Sequence, residues 1–348
     1  MRIGIDARLI EETGVGRYIR NLIIELGIID HRNDYVVFLR KKSFGMTLPD
    51  RWEKRLADVH WHTVSEQFVM PKLFSDANLD LVHIPYHNPP ILYSGNMVVT
   101  IHDLTILHFD TGKATTLPIP LYTLKRLGYW SELMIGLRRA RSIIAVSQRT
   151  KQEISDHIGV DPQKITVTYE AAEIRKSRAK RLIEGEYILY VGNAYPHKNL
   201  ETLLDSWNGT IVLATPDDYF SKRLPRLDNV VMFGPANAEQ LSNLYTHAAA
   251  LVFPSLMEGF GLPGLEAMCL GTPVVCSDIG VFREVYGEAC LRFDPKNPKD
   301  IRQKIQKVFD DKTLLNSLIE KGKKQAAKYS WRKMAEDTLR VYEGSIGV

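Results

Sequence analysis

The stretch Phe253-Pro254-Ser255-Leu256-Met257-Glu258-Gly259-Phe260-Gly261-Leu262-Pro263-Gly264-Leu265-Glu266-Ala267 follows an apolar run, Ala248 to Phe253, that reads as a buried strand. It passes two glycines and enters a short helix, with Pro263 suited to the first turn. That helix stops at Gly271, ahead of Thr272-Pro273. The amides around Gly261, Leu262 and Gly264 then lack intrahelical partners, and donors and dipole together favour an anion there. Glu258 falls in the loop and Glu266 inside the helix, eight residues later. Two carboxylates flanking such a helix start suit a ligand with a diphosphate in its middle and hydroxyls at both ends, the layout of a sugar nucleotide.

A second reading stays open on spacing alone. Ser255-x-x-Glu258 also matches a capping box, and Glu266 could serve the helix dipole. Gly259 and Gly261 oppose a helix from Ser255, since each would cost about 1 kcal/mol there. The wording Pro-Ser-x-x-Glu-Gly-Phe-Gly-Leu-Pro-x-x-Glu-Ala closely resembles the signature of the family-four retaining glycosyltransferases of the GT-B fold, whose two glutamates form an E-x7-E pair.

The chain has 348 residues, enough for about two domains with separate cores. With 45% hydrophobic and 25% charged residues it has the composition of a soluble globular protein. It contains no uninterrupted apolar run of membrane-spanning length. Met1-Arg2-Ile3-Gly4-Ile5-Asp6 reads as a first strand rather than a secretion signal. Cys269, Cys276 and Cys290 lack zinc-ligand spacing and are expected reduced and buried, which fits a cytoplasmic setting. A net charge of +4 is too small to argue for nucleic acid. Basic residues cluster, however: Thr111 to Lys151 holds eight Lys or Arg against one acid, Glu132.

In the first half, Ile3 to Ile5, Tyr35 to Leu39, Trp61 to Val64, Leu81 to Ile84, Met97 to Ile101 and Ile143 to Val146 read as short strands of a parallel α/β sheet. Thr13-Gly14-Val15-Gly16-Arg17-Tyr18 opens a helix with the apolar stripe Val15, Ile19, Leu22, Ile23 and Leu26. Ile19 stands where a dinucleotide fingerprint needs its third glycine, so on their own Gly14 and Gly16 read as a tight turn before they read as a ligand approach. His102-Asp103 ends the strand Val98 to Ile101, where parallel sheets place their sites. His60 and His62 alternate along a strand, and Pro85 separates His83 from His87, so no metal-ligand spacing emerges. Residues 121–141 read as an amphipathic helix, with Leu121, Leu124, Leu127, Trp130, Met134 and Leu137 recurring beside Lys125, Arg126, Arg138, Arg139 and Arg141. It is either a solvated face over a core stripe or a peripheral contact with anionic lipid.

Ile165 to Tyr169 reads as the last strand of this half, and the charged run Arg175 to Arg181 as an exposed linker. A second β/α series follows at Tyr187 to Val191, Ile211 to Ala214, Val230 to Phe233, Leu251 to Phe253 and Val274 to Cys276. The expected organisation is an N-terminal Rossmann-like domain over 1–170, a linker over 171–184 and a C-terminal Rossmann-like domain over 185–330. Composition does not separate GT-B from other two-domain α/β enzymes; the motifs do. Tyr190-Val191-Gly192-Asn193-Ala194-Tyr195-Pro196-His197-Lys198-Asn199-Leu200 resembles the family's Val-Gly-x…Lys-Asn-Leu motif, with Asn193 and His197 where many relatives carry arginines. Phe233-Gly234 ends a strand at a position suited to a nucleotide base.

The resemblance implies a GT-B enzyme, α/β, with two Rossmann-like domains facing across a cleft and a final helix, 331–348, returning to the first domain. It implies retaining transfer of a hexose from GDP-mannose or a UDP-sugar to a glycan or lipid-linked acceptor, for polysaccharide synthesis, at the inner face of the membrane. In its roles Glu258 holds sugar hydroxyls, Glu266 the ribose, and Lys198 with the amides of Gly259, Phe260, Gly261 and Leu262 the diphosphate. Asn193 lies beside them, Gly14 and Gly16 face the donor phosphates, and His102 approaches the sugar. The chain has no Asp-x-Asp, the metal-holding pattern of another glycosyltransferase fold, so metal-free chemistry without a cofactor is expected. A sugar-nucleotide epimerase of the same fold and a non-catalytic sugar-nucleotide-binding protein are the alternatives.

Overall fold

The computed structural model describes residues 1–109, 119–172, 174, 176 and 180–347, except the side chains of 106, 119–122, 124 and 125. Arg175, Ser177, Arg178 and Ala179 of the charged linker, and the side chains of Leu121, Leu124 and Lys125, therefore lie outside the described residues. The chain divides into two compact units. One takes Met1–Leu104, Thr115–Glu170 and Trp331–Val348, the other Thr105–Ala114 and Ala171–Ser330.

The chain begins β1 (Arg2–Asp6), α1 (Gly14–Ile29), β2 (Asp34–Leu39), β3 (Glu53–Leu56), α2 (Glu66–Asp76), β4 (Leu81–Ile84) and β5 (Met97–Ile101). It continues with α3 (Thr105–His108), α4 (Ile119–Arg139), β6 (Ser142–Ala145), α5 (Gln148–Ile158) and β7 (Ile165–Val167). Among the described residues the first sheet has seven strands, in the order β3-β2-β1-β4-β5-β6-β7, and every pairing is parallel. β4 and β5 are buried along their whole length because parallel strands are covered on both faces. The order reverses between β1 and β4, and a crevice opens at the carboxyl ends of strands that part in this way.

The second unit repeats the scheme. It holds β8 (Ile188–Val191), α6 (Leu200–Ser206), β9 (Ile211–Ala214), β10 (Val230–Met232), α7 (Ala238–His247), β11 (Ala250–Phe253) and α8 (Leu262–Leu270). It ends with β12 (Val274–Ser277), α9 (Gly280–Tyr286), β13 (Cys290–Phe293), α10 (Pro298–Asp310) and α11 (Lys312–Ala326). This sheet, again all parallel, runs β10-β9-β8-β11-β12-β13 and reverses between β8 and β11. The last helix, α12 (Trp331–Ile346), belongs to the first unit. It buries Trp331, Met334, Ala335, Thr338, Val341, Tyr342 and Ser345, a stripe at helical spacing. Tyr342 bonds His83 Nδ1 at 2.6 Å, and Arg141 Nε donates to the Ser345 carbonyl at 3.1 Å.

Local expectations are corrected at four places. Trp61 to Val64 is a turn, not a strand, so His60 and His62 do not alternate along one. His62 takes a left-handed φ of 56°, and the Glu66 carboxylate accepts its amide at 2.6 Å to close the turn. The strand lies earlier, at β3, a half-exposed edge whose Glu-Lys-Arg-Leu sequence hides it from an apolar-run reading. Among the described side chains of α4, Tyr129, Leu133 and the expected Leu137 are buried, spaced by one turn, Trp130 and Met134 are half-buried, and Leu127 is 61% exposed. On α1 the expected Ile19, Leu22, Ile23 and Leu26 are buried, joined by Gly16 and Tyr18, and Val15 is half-buried. Cys276 and Cys290 are buried free thiols, but Cys269 is exposed, on the outer side of α8.

Trp331 is 4% exposed at the start of α12. Trp331→Ala is expected to destabilise the first unit by about 3–5 kcal/mol. Denaturant titration checks this, and an unchanged midpoint would remove the anchoring role.

Candidate active site

The loops after β8 and β11 leave neighbouring strands at the point where the second sheet reverses. Both are held by their own backbone. Gly192 has a φ of 144°, and the Tyr190 hydroxyl donates to the Asn193 carbonyl at 2.6 Å. Asn199 takes the left-handed conformation at φ 58°. Its side-chain amide donates to the carbonyls of Pro254 (3.2 Å) and Pro295 (2.8 Å), and Thr202 donates to its Oδ1 at 2.7 Å. The Leu256 amide donates to the His197 carbonyl at 2.8 Å. These ties set Lys198 Nζ 2.6 Å from Glu258 Oε1, with 13% and 12% of the two side chains exposed. Lys198 Nζ also lies 5.9 Å from the centre of the Phe253 ring.

The helix after Glu258 begins at Leu262, so the Ser255 capping box does not form; Ser255 is buried and its hydroxyl has no protein partner. Gly261 precedes the helix at φ 99°, and no side chain caps this end. The reason is visible beneath it. Tyr286 of α9 donates to the Gly261 carbonyl at 2.5 Å, and its ring occupies the space that a Cβ at Gly261 or Gly264 would need. Burial raises the Tyr286 hydroxyl well above its ordinary pKa, so it stays a donor. Phe260 is buried edge-on to Tyr329, with ring centres 5.6 Å apart, and is a packing residue of the loop. Leu262 is buried as well. Glu266 turns inward, 3% exposed, and accepts the Tyr245 hydroxyl at 2.8 Å. Asn193 is half-buried beside the Lys198 loop, with the Tyr195 amide 3.4 Å from its Oδ1.

The remaining residues singled out in the sequence lie in the first unit. Gly14 and Gly16 sit in the first turn of α1. A Cβ on Gly16 would strike the Ile10 carbonyl, whereas Gly14 faces open space. Just ahead of them Arg8 is fully buried, bonded to Asp6 (2.6 Å) and Glu66 (2.5 Å), and Asn88 donates to the same Glu66 oxygen at 2.6 Å. His102, at the end of β5, is held at both nitrogens: Nδ1 by Glu170 at 2.9 Å and Nε2 by the Pro85 carbonyl at 3.0 Å. Tyr18 meets the ring edge-on at 5.0 Å. Burial alone would lower the His102 pKa, but the bond to Glu170 overrides it and raises it above the ordinary value. Burial pushes His83 and His87 down to about 3.

Residues 13–174 match the family model described as Glycosyltransferase Family 4, and residues 219–325 that described as Glycosyl transferases group 1. The chain is 30% identical, over 73% of its length and 72% of the relative's, to the O-antigen chain mannosyltransferase RfbU of Salmonella typhimurium. The chain belongs to the group 1, family 4 glycosyltransferases. Another relative of this glycosyltransferase, O-antigen chain mannosyltransferase B of Escherichia coli, is 26% identical over 95% of this chain and 96% of its own. Among solved structures, Anabaena Alr3699/HepE in complex with UDP and glucose superposes with a TM-score of 0.73 at 15% identity, covering 99% of this chain and 100% of that one. The architecture is GT-B, with two Rossmann-like units.

Sequence reasoning passed over the groups that hold the glycosyltransferase's loops and charges in place: Tyr286, Tyr245, Glu170 and the trio of Arg8, Asp6 and Glu66. Of these only Asp6-x-Arg8, two opposite charges at the end of an apolar strand, carried a local signal. Gly261→Ala is expected to lower stability by at least about 1 kcal/mol through the left-handed backbone alone, with the Tyr286 collision added. Thermal unfolding checks this, with Gly14→Ala as the control expected to change little.

Proposed function

We propose that this glycosyltransferase moves a hexose, mannose foremost, from a nucleotide diphosphate donor to a glycan or lipid-linked acceptor, with retention and without a metal ion. The observation that carries the reading is the Lys198–Glu258 pair beside the uncapped start of α8. A cation and a row of backbone donors suit a diphosphate leaving group, whose charge grows as the glycosidic bond breaks. The names of the two relatives, both O-antigen mannosyltransferases, favour mannose, with GDP-mannose or a UDP-sugar as donor. They favour polysaccharide synthesis as the setting.

In this reading the donor exchanges the resting ion pair for substrate contacts. Lys198 and the amides of Gly259, Phe260, Gly261 and Leu262 take the diphosphate, and Glu258 accepts from sugar hydroxyls. Glu266, steadied by Tyr245, accepts from the ribose, with Asn193 alongside. Gly14, Gly16 and His102 are the first unit's contribution. No carboxylate is assigned as nucleophile. The bond from the anomeric carbon to the phosphate oxygen breaks while the acceptor oxygen bonds on the same face, and the acceptor proton passes to the departing phosphate. Glu258→Ala and Lys198→Ala are each expected to lower turnover more than about tenfold, the loss of roughly 1.4 kcal/mol of transition-state stabilisation. Wild-type turnover should survive EDTA, and proton NMR of the product should show the donor's anomeric configuration. Near-normal rates in both variants would remove the site assignment.

We also propose a peripheral contact of 121–141 with a membrane at the cytoplasmic face. No helix among the described residues is long and apolar enough to cross one. Support comes from Leu127 and Ile135 on α4 and Val64 and Phe68 near the start of α2, all exposed, with Gln67 bonded to Glu132 between the two helices at 3.0 Å. Sedimentation with anionic vesicles should exceed that with zwitterionic ones and fall in Phe68→Ser/Leu127→Ser. Equal sedimentation of both proteins would remove the contact.

A further inference from the structure

The environment of His102 asks for more protons than a neutral imidazole has. Nδ1 lies 2.9 Å from Glu170 Oε1, and Nε2 lies 3.0 Å from the Pro85 carbonyl. A carbonyl only accepts, so Nε2 carries a proton. One further proton is then shared between Nδ1 and the Glu170 carboxyl. Imidazole holds a proton about two pKa units more firmly than a carboxyl group does in water. The groups around the ring point the same way. Asp103 on its own segment adds negative charge, while His83 on β4 and His87 beyond it are neutral because burial lowers both to about 3. Tyr18 on α1 stays protonated, since burial raises it to about 12. With side-chain exposures of 12% and 5%, His102 and Glu170 form a largely desolvated pair.

We propose that Glu170 is a positioning residue that keeps His102 doubly protonated, making His102 a fixed imidazolium donor to the donor substrate rather than a proton acceptor. The proposal rests on the reading of His102 as a substrate-facing group, and it adds which residue sets its charge and tautomer. The proton on Nδ1 is not handed to the substrate during turnover. Nε2–H, resting on the Pro85 carbonyl, is the donor that a substrate oxygen can share. A folded-state pKa above the unfolded value places the pair's contribution in full below the unfolded His value, about 6.5. The contribution is lost as pH rises through the raised folded value. Activity should therefore fall on the alkaline side, and Glu170 should set where.

Two measurements on the full chain test this. In 15N NMR of histidine-labelled protein, His102 in the wild type should show both ring nitrogens protonated above pH 7. In Glu170→Gln it should titrate lower by about one to three units, the usual effect of removing an adjacent opposite charge. The alkaline limb of kcat/KM should move by the same amount toward acid, with Glu170→Asp between the two. A neutral His102 in the wild type near pH 7 would overturn the proposal even if neither variant folds. A titration that moves without the kcat/KM limb would also overturn it, reducing Glu170 to a structural partner. Failure of the donor reading itself would show separately, as no thermal shift of the wild type with any UDP- or GDP-sugar.

Discussion

The amide of Leu256 donating to the carbonyl of His197 joins two loops that start from adjacent strands and would otherwise diverge. Everything proposed for the second unit depends on that tie and on Asn199, which pins the same loop to Pro254 and Pro295. The ion pair between Lys198 and Glu258 is too weak to do this. Fixing two such long side chains costs up to about 2 kcal/mol each, whereas an exposed pair returns about 0–1 kcal/mol. The backbone must bring them together first, and partial burial then makes their meeting worthwhile. Because the frame is backbone, it persists when the pair parts. A donor can take Lys198 and Glu258 away from each other without dismantling the loops that present them.

Tyr286 does the corresponding work under the start of α8. Its hydroxyl fixes the Gly261 carbonyl, and its ring sits against Gly261 and Gly264, so the backbone can approach only where both residues lack a Cβ. The three constraints share one logic. Left-handed positions at Asn199 and Gly261 turn the chain sharply, and hydrogen bonds to carbonyls hold the turns. At the helix start no side chain caps the end, and the Gly264 amide, expected without a partner, donates to the Gly261 carbonyl at 3.1 Å.

Much of this was legible because it is local. The strand before Pro254, the helix from Leu262 to Leu270 and its glycine stop are written in consecutive residues, and both α/β series show as apolar runs. Contacts between distant positions were not. Lys198 and Glu258 are 60 residues apart and His102 and Glu170 are 68 apart, and nothing in either neighbourhood announces the other. Glu266 looks like an outward carboxylate on a short helix, yet it is buried and accepts from Tyr245 of α7, 21 residues away. Edges mislead in the opposite sense. β3 is charged because its outer side meets water, while Trp61 to Val64 is rich in β-forming residues yet turns at His62.

The two units share one strand order but treat charge differently, and the difference follows from burial. In the first, Arg8 with Asp6 and Glu66 is sealed from water. A buried pair gains little net stability, yet losing one partner costs about 3–5 kcal/mol, so such pairs do not rearrange. They suit groups whose position and protonation must stay fixed. In the second unit Lys198 and Glu258 keep some access to water, which lowers the cost of separating them. An enzyme that must release a charged leaving group each turnover needs a pair of that kind. A sealed pair there would hold its partners against the substrate, and a fully exposed one would leave Lys198 to wander. In the proposed function, the loop ties rather than the charges themselves place the lysine in advance and still let it be given up to a diphosphate.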